Sequence, residues 1–155
     1  MSQTPIHILF VCHGNICRST MAEFVLKDMV ARRGLAERFR IESAATSTEE
    51  IGNPVHPGTA AVLREHGIGG FEDKRARQLR RADYDAYDFF IGMDTANIRN
   101  MNWILGGDPD GKVFKLLEFA GTSRSVDDPW YTGDFETTYA DVCDGCEGLL
   151  AYLGV

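Results

Sequence analysis

With 155 residues the chain is long enough for one domain with a substantial core and too short for two ordinary ones. Its composition, 44% apolar and 25% charged with 10% aromatic, excludes a disordered chain, and four cysteines at this length exclude a disulfide scaffold. A net charge of −7 excludes a generic nucleic-acid coat, though not one local positive site.

Residues 1–5 carry no basic n-region, and the apolar run 6–12 is too short for a signal-peptide core or a membrane span. The expected setting is therefore a reducing cytoplasm in which the cysteines are thiols, with no membrane and no nucleic acid as partner. Ile6, Ile8, Leu9, Phe10 and Val11 suit a strand buried on both faces of a parallel sheet, with His7 as a satisfied core histidine. Residues 12–19 form a loop. The helix after it carries Met21, Phe24, Val25 and Met29 at helical spacing and stops near Gly34.

Residues 38–44 read as a second strand, and 46–57 as a loop rich in Gly, Pro, Ser and Thr. Pro57 opens a helix running to His66 with Gly67 as its stop, which makes His56 a loop residue and His66 a helix-end residue. Residues 73–85 are a polar crossing or short helix, and 88–93 a third strand. Asp94 caps a helix with Ile98, Met101 and Leu105 on one stripe, closed by Gly106-Gly107. Residues 113–117 are a fourth strand and 120–133 a long polar loop. Asp134 caps a last helix with Phe135, Tyr139, Val142, Cys146, Leu149 and Leu153 on one face. Strands alternating with helices predict a three-layer α/β sandwich over residues 1–155, with ligands at the carboxyl ends of the strands.

The loop after the first strand carries the chemistry. Cys12 stands at a strand's carboxyl end, Arg18 follows six positions later, and a helix begins at once. A loop of this length wraps a tetrahedral oxyanion with inward backbone N–H groups, and the helix N-terminus adds positive potential. Arg18 offers a bidentate fork to two phosphate oxygens, and the same field favours the nucleophilic thiolate form of Cys12. His13, Gly14, Asn15, Ile16, Cys17 and Ser19 complete the phosphate-binding loop. Gly14 permits close backbone approach, and Asn15 tolerates left-handed dihedrals. The loop lacks the Gly-Lys-Ser/Thr ending of an ATP site. Taken alone, a cysteine and an arginine at this spacing also fit a buried thiol and a surface charge; the flanking strand and helix favour the chemical reading.

The chain resembles the low-molecular-weight protein tyrosine phosphatases over essentially its whole length. The resemblance rests on Val11-Cys-His-Gly-Asn-Ile-Cys-Arg-Ser19 with Met21-Ala-Glu23, Ser43-Ala-Ala45, Arg75-Ala-Arg-Gln78, Met93-Asp94 and Asp128-Pro129-Trp130-Tyr131. It implies a four-stranded parallel sheet, expected order 2-1-3-4, with helices on both faces. It also implies phosphate-monoester hydrolysis through a phosphocysteine, with no metal and no cofactor. In that reading Cys12 is the nucleophile and Arg18 the phosphate clamp. Asp128, the residue before the proline, is the acid that protonates the leaving oxygen and then activates water. Asp127 adds a like charge beside it. Two adjacent carboxylates in a polar loop are otherwise ordinary solvated charge. Ser19 is placed to hydrogen-bond the thiolate, and Asn15 and Ser43 to hold the loop. Many relatives carry a histidine where this chain has Lys74, which alters that network.

In the family a thiol at the position of Cys17 traps oxidised nucleophile as a disulfide; packing as a small loop residue explains Cys17 equally well. Cys143 and Cys146 form a C-x-x-C on a helix stripe with no second pair, so core packing outweighs zinc. Trp130 and Tyr131 form one wall of a substrate crevice, and Glu49 and Glu50 make the opposite wall acidic, disfavouring acidic phosphopeptides. His13 replaces a common aliphatic residue. The implied partners are phosphotyrosine proteins or peptides, small aryl phosphates and inorganic phosphate, with the protein acting as a monomer. Arginine phosphatases of this fold carry Thr where this chain has Ile16, arsenate reductases carry mid-chain cysteines that are absent here, and a non-catalytic phosphoprotein-binding module would lack the nucleophile or the acid.

Overall fold

Alternate side chains of the first strand point into opposite layers. In the computed structural model, which describes residues 4–155, Ile8 and Phe10 of β1 (Ile6–Cys12) enter one core and Leu9 and Val11 the other; all four are fully buried. Met1, Ser2 and Gln3, part of the stretch read for a targeting signal, lie outside the described residues. β1 pairs in parallel with β2 (Phe39–Ala45) on one side and β3 (Phe89–Gly92) on the other, and β3 pairs with β4 (Val113–Lys115). The order β2-β1-β3-β4 is the one expected, and it puts the carboxyl end of β1 at the switch point where ligands bind in such sheets.

Three helices cover one face of the sheet: α1 (Arg18–Arg32), α2 (Pro57–Glu65) and α5 (Phe135–Tyr152). Their buried side chains include Met21, Phe24 and Leu26 from α1, Leu63 from α2, and Val142, Cys146 and Leu149 from α5. The other face is covered by α3 (Thr95–Leu105) with the 3-10 turn Arg81–Asp85. There Met101, Leu105, Leu79 and Tyr87 pack on Leu9, Val11 and Phe90. Asp94 and Asp134 cap α3 and α5 as their sequences predict, accepting from Asn97 N at 2.7 Å and Thr137 N at 3.0 Å. Among the described residues, no helix is long and apolar enough to cross a membrane.

Several expectations are corrected. β4 ends at Lys115, because Leu116–Ala120 turn into a 3-10 helix that seats on α5. Two glycines of α5 make that seat: a Cβ on Gly148 would lie 2.0 Å from the Phe119 carbonyl oxygen, and one on Gly145 2.4 Å from Leu116 Cγ. The polar loop 120–133 contains a single helical turn, α4 (Pro129–Thr132), capped by Asp128. His7 is not a core histidine: it is half-buried near the amino end of β1, its ring edge-on to Tyr87 at 6.3 Å. His56 lies in the loop before α2, as read, and its side chain caps that helix.

Candidate active site

The segment between β1 and α1 turns because Asn15 takes the left-handed conformation, with φ of 59°. It is the one non-glycine residue to do so among those described, and it is 1% exposed. The Arg77 backbone N–H donates to its Oδ1 at 3.2 Å, which fixes which end of the amide points where. The Nδ2 group then donates to Ser19 Oγ at 2.8 Å and to Ser43 Oγ at 2.9 Å. Ser43 Oγ donates its hydrogen bond to Glu23, so its hydroxyl can only accept from Asn15. Ser19, likewise accepting from Asn15, has its hydrogen free for Cys12, whose Sγ lies 3.1 Å from Ser19 Oγ.

Glu23 is 3% exposed and needs charge partners. Lys27 Nζ donates to it at 2.6 Å, and Lys74 Nζ lies 3.3 Å from its other oxygen while donating to the Ser43 carbonyl at 2.8 Å. Lys74 thus does occupy the network, as a cation. Burial, together with Arg77 and Lys27, pushes its ammonium below the ordinary lysine range even with Glu23 pulling the other way.

Arg18 opens α1, where among the described residues no side chain caps the first turn. Its guanidinium is 3% exposed: Nη1 donates to Asp94 at 2.7 Å and to the Val126 carbonyl at 3.0 Å, and Nη2 faces Asp128 at 3.4 Å. Burial opposes this charge, but Cys12, Asp94 and Asp128 more than offset it and hold the group cationic. Asp128 is tied at its other oxygen by the Trp130 amide at 3.1 Å. Asp127 is exposed, and its carbonyl accepts from the Thr138 hydroxyl.

Around these groups lies a pocket of about 180 Å³. Cys12, Ile16, Cys17, Arg18 and Asp128 line it together with Trp130 and Tyr131. Glu49 and Glu50 also line it, as do His13 and Gly14. His13 contacts Glu49 across the mouth, and both are well exposed. Glu50 accepts from Asn53 at 2.6 Å, and its Cγ would lie 3.3 Å from a Cβ on Gly14, so the glycine leaves room for this side chain. Burial, with Cys12 and Asp128 adding to it, pushes the Cys17 thiol up to about 12. Among the described residues no group of three His, Cys, Asp or Glu side chains is arranged to hold a metal; Cys146 is fully buried in the core and Cys143 half-buried on it.

Sequence reasoning therefore converges on one pocket, with Asn15, Ser19 and Ser43 behind it. Asp94, read as a helix cap and within the Met93-Asp94 motif, is given no role beside Arg18, although a carboxylate at the carboxyl end of a central strand is a position where ligands gather. Sequence reasoning also misses His56, whose neighbours come from three distant segments.

A family model described as low molecular weight phosphotyrosine protein phosphatase matches residues 7–154. The chain is 41% identical over 148 residues to the low molecular weight protein-tyrosine-phosphatase YfkJ of Bacillus subtilis, with 94% of each chain covered. The crystal structure of YfkJ superposes with a TM-score of 0.93, covering 98% of this chain and 96% of that one. A low molecular weight phosphotyrosine protein phosphatase of Schizosaccharomyces pombe is 39% identical over 150 residues, covering 94% and 95% of the two. The structure of a drosophila arginine phosphatase is also similar, with a TM-score of 0.86 at 25% identity, covering 96% and 98%.

Proposed function

The chain belongs to the low molecular weight phosphotyrosine protein phosphatases, and on that premise we propose that it hydrolyses phosphotyrosine in proteins or peptides, and small aryl phosphates, through a phosphocysteine at Cys12. The observation that carries this reading is the convergence of Cys12, Arg18 and Asp128 on one pocket.

Substrate phosphate is held by loop amides, the uncapped start of α1 and the Arg18 fork. The Cys12 thiolate attacks phosphorus while the bond to the phenolic oxygen breaks, and Asp128 gives that oxygen its proton. A water then attacks the phosphocysteine, losing a proton to the Asp128 carboxylate. The S–P bond breaks, the thiolate leaves under the Ser19 hydroxyl, and inorganic phosphate departs. No metal or cofactor takes part. Ile16, 8% exposed in the pocket lining, favours a flat phenyl ring over a guanidinium, which supports tyrosine over arginine as the phosphate carrier. The protein acts as a monomer in the cytoplasm, where Cys12 stays reduced.

The test is hydrolysis of para-nitrophenyl phosphate with EDTA present. Full activity in the chelator and its loss in Cys12→Ser are expected; turnover that survives Cys12→Ser overturns the reading. Phosphoarginine cleaved faster than phosphotyrosine in matched peptides would move the assignment to arginine.

A further inference from the structure

His56 is the residue through which the phosphate loop, two helices and the aromatic wall meet. Its backbone N–H donates to the Ile16 carbonyl of the phosphate loop at 2.9 Å. Its Nδ1 accepts from the Gly58 N–H at 2.9 Å, capping α2. Its ring stacks on Phe135, at the start of α5, with centroids 5.1 Å apart and planes 18° from parallel. The same ring meets the Trp130 indole edge-on, at 5.6 Å and 75°.

The local sequence is shaped around this junction. Gly58 has no space for a side chain, since a Cβ there would lie 2.4 Å from Phe135 Cζ. Phe135 can therefore close over the α2 N-terminus and back the imidazole. Trp130, by contrast, sits on a single helical turn and is 57% exposed. Little else fixes an indole so placed: among the described residues, the aromatic ring against it is His56. The distance from phosphate loop to indole is thus set by the rigid span Ile16–His56–Trp130.

We propose that His56 is a positioning residue that holds the Trp130 indole as the aryl-recognising wall of the pocket, and so sets the preference for aryl over other phosphate ligands. This rests on the aryl-phosphatase reading above.

The experiment separates the cap from the ring. The chain has two tryptophans, and Trp103 lies 84% exposed on the opposite layer, so a Trp103→Phe background leaves Trp130 as sole indole reporter. In that background His56→Asn keeps a side-chain acceptor for the α2 cap and removes the ring, while His56→Phe keeps a ring and removes the acceptor. Competitive inhibition by benzylphosphonate and by inorganic phosphate is measured for each. His56→Asn should weaken benzylphosphonate about five- to tenfold and phosphate less than about twofold, the span an aromatic pair supports. Trp130 emission anisotropy should fall in the same variant, and His56→Phe should restore both the ligand ratio and the anisotropy. Parallel weakening of the two ligands in His56→Asn would show a role confined to the phosphate loop and overturn the inference, as would an unchanged ratio. If the unmodified protein binds benzylphosphonate no better than phosphate, the aryl-phosphatase reading fails first and the inference with it.

Discussion

The Arg18 guanidinium donates to the Asp94 carboxylate at 2.7 Å, and Asp94 in turn accepts from the Asn97 amide to start α3. One carboxylate therefore ties the proposed phosphate clamp to the opposite helical layer. Asp94→Asn keeps an acceptor for the cap but gives up the charge facing Arg18. It should raise KM for para-nitrophenyl phosphate about tenfold at little cost in stability. Asp94→Ala should add a loss of about 1 kcal/mol in urea unfolding. Equal KM values for Asp94→Asn and the unmodified protein would remove Asp94 from the clamp.

Lys74 and Glu23 form the buried charge pair behind Asn15. Removing one partner leaves Glu23 under-compensated, so Lys74→Met should cost about 3 kcal/mol of unfolding free energy. It should also lower kcat, because the Ser43–Asn15–Ser19 chain that serves Cys12 loses its anchor. Glu23→Gln combined with Lys74→Met should recover much of the stability, since the only charge left without its partner is the part-exposed Lys27 ammonium. A double variant as unstable as the sum of the singles would show that the two act independently.

Asp128 as the acid predicts dependence on the leaving group. Asp128→Asn preserves the acceptor that caps α4, so the fold is retained. Turnover of phenyl phosphate should fall about 100-fold, and that of para-nitrophenyl phosphate, which leaves readily without a proton, far less. The same factor for both substrates would assign Asp128 a role other than proton donor.

Cys17 has a thiol raised to about 12 by burial, with Cys12 and Asp128 adding to it. If it guards the nucleophile, hydrogen peroxide first converts the Cys12 thiolate to a sulfenic acid. Cys17 then attacks that sulfur, forming a disulfide and releasing water. The attack needs the Cys17 thiolate, so disulfide capture should grow with alkalinity. After peroxide treatment, activity recovered by dithiothreitol should rise from about pH 6 to about pH 9, and Cys17→Ser should abolish the recovery. Recovery independent of both pH and Cys17 would leave the residue a packing group.

The parallel sheet was legible because β1 is apolar on both faces and each strand is followed by its own helix or turn; its order was implied only by the family resemblance. The phosphate loop was legible because its chemistry is local: Cys12, Asn15 and Arg18 act within one turn of chain. What stayed hidden depends on contacts between distant segments. The early end of β4 comes from the fit of Leu116 and Phe119 onto Gly145 and Gly148, some thirty residues on. A glycine inside a helix reads as a weakness until its neighbour is known. Asp94 looked complete as a cap, although its second oxygen serves Arg18 from 76 residues away. His56 carried no signal of its own, since its ring matters only where α5 and the Trp130 turn reach it. His7 misled for the reverse reason: β1 alternates cleanly, but the edge-on contact with Tyr87 lies near its partly exposed amino end.

The proposed mechanism passes through a covalent phosphate on Cys12. Rapid acid quenching during turnover of para-nitrophenyl phosphate, followed by mass spectrometry of the peptide spanning residues 12–18, tests it most directly. One added phosphate is expected on the Cys12 sulfur, present within the first turnover and absent in Cys12→Ser. Turnover with no phosphate on Cys12 at any quench time would contradict it.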